Sequence, residues 1–167
     1  MHLFVLVHGW PASGKSAVAE ALATELGLAL VAKDEVKEAL VDVLGRPVTV
    51  AESQRLGRAA VAAQLAVARR SPGAVLDSTF LDDALPAVRA LPGPLVEVHC
   101  VAPLEVVRAR YRTRAAGRHP GHLDDLREES ELWGSPSEPL GFCPVVEVDT
   151  TRPLDVVALA AAVRAAV

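Results

Sequence analysis

The sequence predicts an α/β fold in which helices cover both faces of a five-stranded parallel β-sheet. Three observations support this fold class. Short apolar runs alternate with helical patterns along the chain, as in folds built from strand–helix–strand units. Residues 9–16, Gly-Trp-Pro-Ala-Ser-Gly-Lys-Ser, lie between the first apolar run and the first helical pattern. The 167 residues suffice for one domain with its own core, and we find no repeat or linker that divides them.

In the N-terminal half, apolar periodicity and chain-breaking residues define the elements. Apolar residues predict a central strand over 2–8. Val18, Leu22 and Leu26 then lie on one face of a helix over 15–26, which Gly27 ends. The elements that follow are a strand at 28–31, helices at 35–44 and 51–70, and a strand at 74–76 that leads to Asp77.

In the C-terminal half, proline and glycine mark the boundaries. The predicted elements are a helix at 82–91, a strand at 95–101, a helix at 103–116, a strand at 145–149 and a helix at 154–167. Residues 117–143 are rich in Gly, Pro and charge and are predicted to be irregular. Because long segments of this kind are usually lids, binding loops or disordered, we predict a lid or acceptor-binding segment there, here called the lid segment.

Residues 9–16 have the pattern of a phosphate-binding loop. Glycines let successive backbone N–H groups point at one anion, and the helix that follows adds its positive N-terminus. Lys15 supplies a charge for the β- and γ-phosphates, and the Ser16 hydroxyl can hold Mg²⁺. We therefore predict that the chain binds ATP or GTP with Mg²⁺. The loop residues predicted to contact the nucleotide are Gly9, Ala12, Ser13, Gly14, Lys15, Ser16 and Ala17.

Composition limits the class of partner. The net charge of −4 argues against binding along a nucleic acid, where a basic face is expected. No apolar run approaches the length of a membrane span, and the first strand follows Met1 without a charged leader. We therefore expect a cytoplasmic protein. Since we expect no disulfide between Cys100 and Cys143, Cys100 is interpreted as a small core residue.

Polar residues follow the predicted strands at their carboxyl ends, where ligands gather in parallel sheets. Asp34 is placed to align an acceptor hydroxyl and take its proton, although Asp also suits a helix N-cap. Lys37 either holds a polar or anionic part of the acceptor or is a solvated surface lysine. Asp77 is expected to reach Mg²⁺ through water, with helix capping or turn formation as the alternative. Ser78 and Thr79 are candidates for contact with the acceptor.

Arginines crowd the helix predicted at 103–116 and the residues after it. Arg110 and Arg114 border one side of its apolar stripe. A row of arginines that leads into a Gly/Pro segment suits a lid that neutralises charge on a transferring phosphoryl group. We assign this role to Arg110 and Arg114, with Arg118 as a mobile third. The alternative is ion pairing with the acidic residues Asp124, Asp125, Glu128 and Glu129.

Two further positions have open interpretations. His119 could contact the acceptor from the lid or could belong to a surface turn. Together with His122 it has the spacing of metal ligands, but no Cys or third His lies near in the sequence. Arg152, just past the last strand, could stack on a nucleotide base or be an exposed arginine.

These residues, in this order and spacing, resemble the small P-loop kinases grouped with the kinase domain of polynucleotide kinases. Chloramphenicol phosphotransferases and zeta toxins are looser relatives. The segments that carry the resemblance are residues 9–16, 33–37, 75–79 and 103–105 with Arg110 and Arg114. The resemblance implies the strand order 2-3-1-4-5, Asp34 as the base, and lid roles for the two arginines.

The sequence departs from the family at two positions. Lys37 stands where the family commonly has an arginine that binds the acceptor, and lysine cannot make the bidentate phosphate contact of arginine. This argues against a nucleotide 3′-phosphate or a polynucleotide as the acceptor. Trp10 replaces a smaller loop residue and is expected to pack over the nucleotide or the acceptor.

The function predicted from the sequence is ATP-dependent transfer of the γ-phosphate to a hydroxyl of a small molecule, either nucleoside-like, an antibiotic or a sugar. The first alternative is a polynucleotide 5′-hydroxyl kinase or a zeta-type nucleotide-sugar kinase. The second, of another class, is a nucleotide-dependent switch or binding module with a protein partner. The sequence leaves the oligomeric state open.

Overall fold

The structure is a computed structural model that describes residues 2–115 and 117–167. Its sheet has five parallel strands in the order β2-β3-β1-β4-β5, which confirms the order implied by the resemblance. The strands are β1 (Phe4–His8), β2 (Ala29–Ala32), β3 (Ala74–Asp77), β4 (Leu95–Val101) and β5 (Val145–Asp149). The helices are α1 (Lys15–Leu26), α2 (Lys33–Leu44), α3 (Val50–Ala68), α4 (Leu85–Arg89), α5 (Leu104–Ala115), α6 (Glu129–Trp133) and α7 (Val156–Ala165).

Strand β1 is the centre of the sheet, and all five of its residues are buried. It pairs with β3 on one side and with β4 on the other. The chain connections on the two sides of β1 therefore run in opposite directions, which makes the carboxyl end of β1 the switch point of the sheet. Helices α1 and α7 pack on one face, where Leu22 and Leu159 meet Val5 and Val7. Helices α3 and α4 pack on the other face. The predicted cover on both faces is therefore confirmed, and the switch point provides a crevice for ligands.

The predicted boundaries hold for most elements, with three differences. Helix α2 begins at Lys33, two residues earlier than predicted, so that Asp34 lies inside its first turn. Helix α4 is limited to five residues. The lid segment is not irregular throughout, because it contains 3-10 turns at Pro120–His122 and Asp124–Leu126 and the short helix α6. Met1 and Ala116, the predicted last residue of helix α5, lie outside the described residues.

Long-range packing explains the order in the lid segment. Leu132 and Trp133 of α6 are buried against Val107 and Tyr111 of α5, and the two aromatic rings meet edge to face at a centroid distance of 5.2 Å. Such contacts stabilise a helix too short to persist alone. Among the described residues, no helix combines the length and the apolar character needed to cross a bilayer.

The end of the lid segment, residues 135–143, crosses the sheet face over β4 and is here called the strap. Glu97 of β4 is fully buried, and its Oε2 accepts a hydrogen bond from the backbone N–H of Leu140 at 2.8 Å. The His99 ring lies 3.0 Å from the Ser137 hydroxyl. The sequence analysis gave Glu97 and His99 no role, because both fall inside an otherwise apolar strand.

Replacement of Glu97 by Gln is expected to stabilise the fold at neutral pH. Burial raises the pKa of Glu97 above its ordinary value of 4.5, so ionisation above that pH costs folding free energy. Wild type should therefore lose stability relative to the variant as the pH rises from about 4.5 toward the folded-state pKa of Glu97. Urea unfolding at pH 4.5 and pH 8 measures the difference, expected to be about 1–3 kcal/mol. Glu20→Gln, on an exposed position, is the control, and an equal pH dependence in wild type and Glu97→Gln would contradict the prediction.

Candidate active site

The phosphate-binding loop joins the carboxyl end of β1 to helix α1. Gly9 has φ 146° and Gly14 has φ 92°, both in the region that favours glycine. A Cβ atom on Gly9 would lie only 2.5 Å from the carbonyl oxygen of Cys100, so the loop approaches β4 more closely than a side chain permits. Gly14 is the residue that immediately precedes α1. The loop thus directs backbone N–H groups and the helix N-terminus to one place, as the spacing predicts.

Lys15 and Asp77 face each other beside this loop. The Lys15 ammonium donates a hydrogen bond to the carbonyl oxygen of Trp10 at 2.7 Å. Burial lowers the pKa of Lys15, and the nearby Asp77 and Asp34 carboxylates partly offset that effect. Burial raises the pKa of Asp77, while Lys15 and a hydrogen bond with Ser16 act in the opposite direction. A hydroxyl and a carboxylate in contact beside a phosphate site are the oxygen ligands that Mg²⁺ prefers, so Ser16 and Asp77 fit the ion.

Asp34 lies in the first turn of α2, at the end of the edge strand β2. Its Oδ1 accepts a hydrogen bond from Lys33 Nζ at 2.6 Å, and its Oδ2 accepts one from Arg118 Nη2. Burial alone would raise the pKa of Asp34, but the charges of Lys33, Arg118 and His122 outweigh it and hold the pKa well below its ordinary range. The N-cap alternative is wrong, because the N-cap of α2 is Ala32.

Lys37 is buried, so its interpretation as a solvated surface lysine is wrong. Its ammonium donates to the Ser53 hydroxyl of α3 at 2.7 Å, and that hydroxyl donates to the carbonyl oxygen of Gly121 at 2.8 Å. Burial and the charge of Lys33 lower the pKa of Lys37 to about 8. Lys37 therefore links α2, α3 and the turn at Pro120–His122.

The three lid arginines have different surroundings. Arg110 donates to both the side-chain and the backbone oxygen of Thr150, at 3.0 and 2.8 Å, and the Thr150 hydroxyl donates to the backbone of Ser13 in the phosphate loop. Arg110 thus supports the phosphate loop indirectly, through Thr150. The Arg114 guanidinium lies over the ring of Tyr111, 5.0 Å from its centroid, and close enough to Lys15 to lower the pKa of that lysine. The alternative role of ion pairing is met by Arg108, which pairs with Glu129 at 2.9 Å, and by Arg118, which pairs with Asp124 at 3.0 Å.

Arg118 is held by two carboxylates. Its Nη1 donates to both oxygens of Asp124 at 3.2 and 3.0 Å, while its Nη2 contacts Asp34. The pKa of Asp34 responds to Arg118, and that of Lys15 responds to Asp34, Asp77 and Arg114. The structure therefore brings these charged groups into one constellation around the phosphate loop.

The turn at Pro120–His122 is docked on α2. The His119 ring lies 3.1 Å from an oxygen of Asp42, and the His122 ring lies 2.8 Å from an oxygen of Glu38. Each histidine thus faces one carboxylate. Nowhere in ranges 2–115 and 117–167 do three His, Cys, Asp or Glu side chains gather as metal ligands would.

Gly121 is expected to be indispensable for this docking. A Cβ atom there would lie 2.7 Å from one methyl of the buried Val41 and 3.0 Å from the other. Gly121→Ala should therefore lower the free energy of unfolding by about 1–3 kcal/mol and weaken the contact between lid and α2. Thermal unfolding and proteolysis of the lid segment measure both effects. Gly117→Ala meets nothing within 4 Å and is the matched control, and equal stability of the two variants would contradict the prediction.

The remaining predicted residues lie at the edge of this constellation. Ser78 is buried, and its hydroxyl has no hydrogen-bond partner among residues 2–115 and 117–167, while Thr79 is partly buried. Arg152 is exposed. Trp10 donates its indole N–H to the carbonyl oxygen of Ser135 at 3.0 Å and packs against the cluster of α5 and α6, so it contacts the lid segment.

Three contributing residues escaped the sequence analysis. The sequence places Lys33 next to Asp34, but a neighbouring lysine alone does not predict an ion pair. No local pattern indicates Ser53 or Thr150, because each acts through contacts with residues distant in the sequence. Only the fold brings them to the site.

Comparison with known proteins now places the chain in a family. Residues 4–130 match the model of a family described as AAA domain. The chain belongs to this family. No curated protein matches the sequence. The resemblance to P-loop kinases and the P-loop kinase fold are both confirmed for this AAA-domain chain.

Three solved structures show how far the likeness extends. A candidate kinase from Chloroflexus aurantiacus has 30% identity and a TM-score of 0.84, over 99% of this chain and 98% of that one. A gluconokinase from Sinorhizobium meliloti has 24% identity and a TM-score of 0.64, over 97% and 92% of the chains. The APS kinase of Mycobacterium tuberculosis, in complex with AMPPNP and APS, has 17% identity and a TM-score of 0.64, over 98% and 96%. The candidate kinase, at 30% identity, supports a nucleotide-dependent kinase, and the two more distant structures show the fold.

Proposed function

We propose that this AAA-domain chain is an ATP-dependent kinase that transfers the γ-phosphate to a hydroxyl of a small molecule. One observation carries the proposal. The carboxylate of Asp34 follows β2 at the same edge of the sheet as the phosphate loop, since Asp77 pairs with both Val7 of β1 and Ala32 of β2. Arg118 of the lid segment donates a hydrogen bond to this carboxylate. A carboxylate at the same edge of the sheet, two strands from β1, suits the alignment of an acceptor hydroxyl against a bound triphosphate.

The loop would bind ATP, or GTP, through backbone N–H groups and through Lys15. Ser16 would ligate Mg²⁺ directly and Asp77 through water, in keeping with their mutual contact beside Lys15. The ion would neutralise charge on the β- and γ-phosphates. The APS kinase in complex with AMPPNP is consistent with a triphosphate at such a loop.

In the reaction, the acceptor oxygen would bond to the γ-phosphorus while the bond to the β,γ-bridging oxygen breaks and ADP leaves. The hydroxyl proton would pass to Asp34. Because phosphoryl transfer has a loose transition state, this proton becomes acidic late, and a carboxylate with a low pKa contributes mainly by alignment. Arg114 and Arg118 would neutralise charge on the phosphoryl oxygens, and Arg110 would hold the loop through Thr150.

Two observations favour a small acceptor. The gluconokinase and the APS kinase among the similar structures carry the names of small acceptors. In this chain, Lys37 is engaged with Ser53 in a buried position rather than presented as a surface contact for a polymer. Ser78, Thr79 and His119 remain candidates for acceptor contact, and the net charge of −4 does not favour a long nucleic acid.

A screen with labelled ATP tests the proposal. Nucleosides, aminoglycosides, phenicols, sugars and oligonucleotides are offered singly, and label transferred to the acceptor is compared with phosphate released without one. We expect one class of small hydroxyl compound to take up label faster than water does. Release of phosphate that no acceptor changes would contradict a kinase and favour the nucleotide-dependent switch. Uptake by oligonucleotides alone would favour the polynucleotide kinase.

A further inference from the structure

Both carboxylate oxygens of Asp34 accept a hydrogen bond from a cationic side chain. Lys33 occupies Oδ1 at 2.6 Å and Arg118 occupies Oδ2. An acceptor hydroxyl needs one of these oxygens as its hydrogen-bond partner. Lys33 is adjacent in the chain and shares the first turn of α2 with Asp34. The partner that can leave is therefore Arg118, which comes from the lid segment.

Arg118 is placed for an exchange of partners. Its Nη1 is held by Asp124, whose side chain is only 6% exposed, while its Nη2 contacts the partly exposed Asp34. The residues that follow are fixed on α2 and α3, because Ser53 binds the backbone of Gly121 and Glu38 binds His122. The planar guanidinium of Arg118 can therefore turn as a whole about its contact with Asp124, which moves Nη2 away from Asp34 without release of the turn at Pro120–His122.

A γ-phosphate is the competitor that the site can provide. Asp77 pairs with Val7 of β1 and with Ala32 of β2, so the phosphate loop and Asp34 leave the same edge of the sheet. A triphosphate on the loop would therefore extend its terminal oxygens toward the side of the site where Arg118 contacts Asp34. A dianionic phosphate attracts a guanidinium more strongly than a monoanionic carboxylate does. ADP lacks this group and would leave Arg118 on Asp34.

We propose that Arg118 is a positioning residue whose Nη2 stays on Asp34 until a triphosphate binds and then turns to the γ-phosphate. The exchange removes the guanidinium charge from Asp34, and so makes its carboxylate a stronger hydrogen-bond partner for the acceptor hydroxyl, only when a phosphoryl group is available for transfer. This inference rests on the proposed phosphoryl transfer at the same site. It adds a coupling between nucleotide state and acceptor activation.

The coupling is measurable without knowledge of the acceptor. Calorimetry gives the dissociation constants of Mg-AMPPNP and Mg-ADP for wild type, Asp34→Asn, Arg118→Gln and the double variant. Asp34→Asn removes the competitor for Arg118. The dissociation constant of AMPPNP should therefore fall at least about fivefold, while that of ADP should change less than about twofold. In the Arg118→Gln background, the gain for AMPPNP should largely disappear. Glu35→Gln makes the same charge change at an exposed position of α2 and should leave both constants nearly unchanged.

The possible outcomes distinguish failure of the exchange from failure of the proposed function. Asp34→Asn could raise the affinity for AMPPNP equally with and without Arg118, or Glu35→Gln could raise it as much. In either case, repulsion between a carboxylate and the triphosphate explains the effect, and the exchange is overturned. Arg118→Lys, which retains a charge, should restore part of the coupling, and unchanged ADP affinity shows that each variant keeps its loop folded. A chain that binds neither nucleotide would overturn the proposed function together with this inference. Binding without coupling would overturn only the exchange.

Discussion

Substitution of Asp34 by Asn is expected to lower kcat for phosphoryl transfer by about 10²–10⁴-fold, because both the alignment of the acceptor hydroxyl and the late transfer of its proton depend on the carboxylate. The amide retains the shape of the side chain but cannot accept the proton of an acceptor hydroxyl. Nucleotide affinity should not decrease, because Asp34 belongs to α2 and its hydrogen bonds are with Lys33 and Arg118, which lie outside the phosphate loop. Initial rates at saturating ATP and acceptor measure kcat, and calorimetry measures nucleotide binding.

The decisive feature of this prediction is that kcat falls while nucleotide affinity does not. Glu35→Gln is the control, since it removes a carboxylate from the same turn of α2 at an exposed position. It should retain nearly full activity. If Asp34→Asn turned over at close to the wild-type rate, Asp34 could not be the group that activates the acceptor.

Substitution of Lys15 by Met should lower the transfer rate by about 10³-fold or more, since it removes a charge from the site where negative charge develops. Methionine fills similar space without the ammonium. The folded protein should not lose stability, because Lys15 makes one hydrogen bond, to Trp10, and burial disfavours its charged form. Transfer assays and thermal unfolding are measured on the same preparation.

Lys37→Met is the matched control for Lys15→Met. It also removes a buried amine, but from the link between α2 and α3 rather than from the phosphate loop. We expect it to change acceptor KM or stability while nucleotide affinity stays close to that of wild type. Equal loss of nucleotide affinity in the two variants would mean that the loop lysine has no special part in phosphate binding.

The features of the fold that could be predicted are those determined by residues close together in the sequence, such as turns and buried strands. Gly9 and Gly14 adopt positive φ values in the loop, as their spacing requires, and the apolar run of β1 becomes the buried central strand. The strand order came from the resemblance, since alternation of strands and helices specifies a parallel sheet but not the order of its strands. Asp34 and Asp77 follow β2 and complete β3, so topology brings them to the phosphate loop.

The rest depends on contacts between residues far apart in the sequence. Nothing near Ser53 indicates that it joins Lys37 to Gly121, and nothing near Thr150 indicates that it supports the phosphate loop. The same holds for Glu97, a charged residue inside a central strand that meets the strap 43 residues later in the sequence. Pairings of this kind are a property of the assembled fold, so periodicity and spacing could not predict them.

Phosphorus NMR of a reaction with the acceptor selected by the screen tests the central claim most directly. The account predicts a new phosphomonoester resonance that grows in step with ADP, with little inorganic phosphate, and the absence of this resonance when Asp34→Asn replaces the wild type. Equal amounts of ADP and inorganic phosphate, with no phosphomonoester for any acceptor, would contradict it.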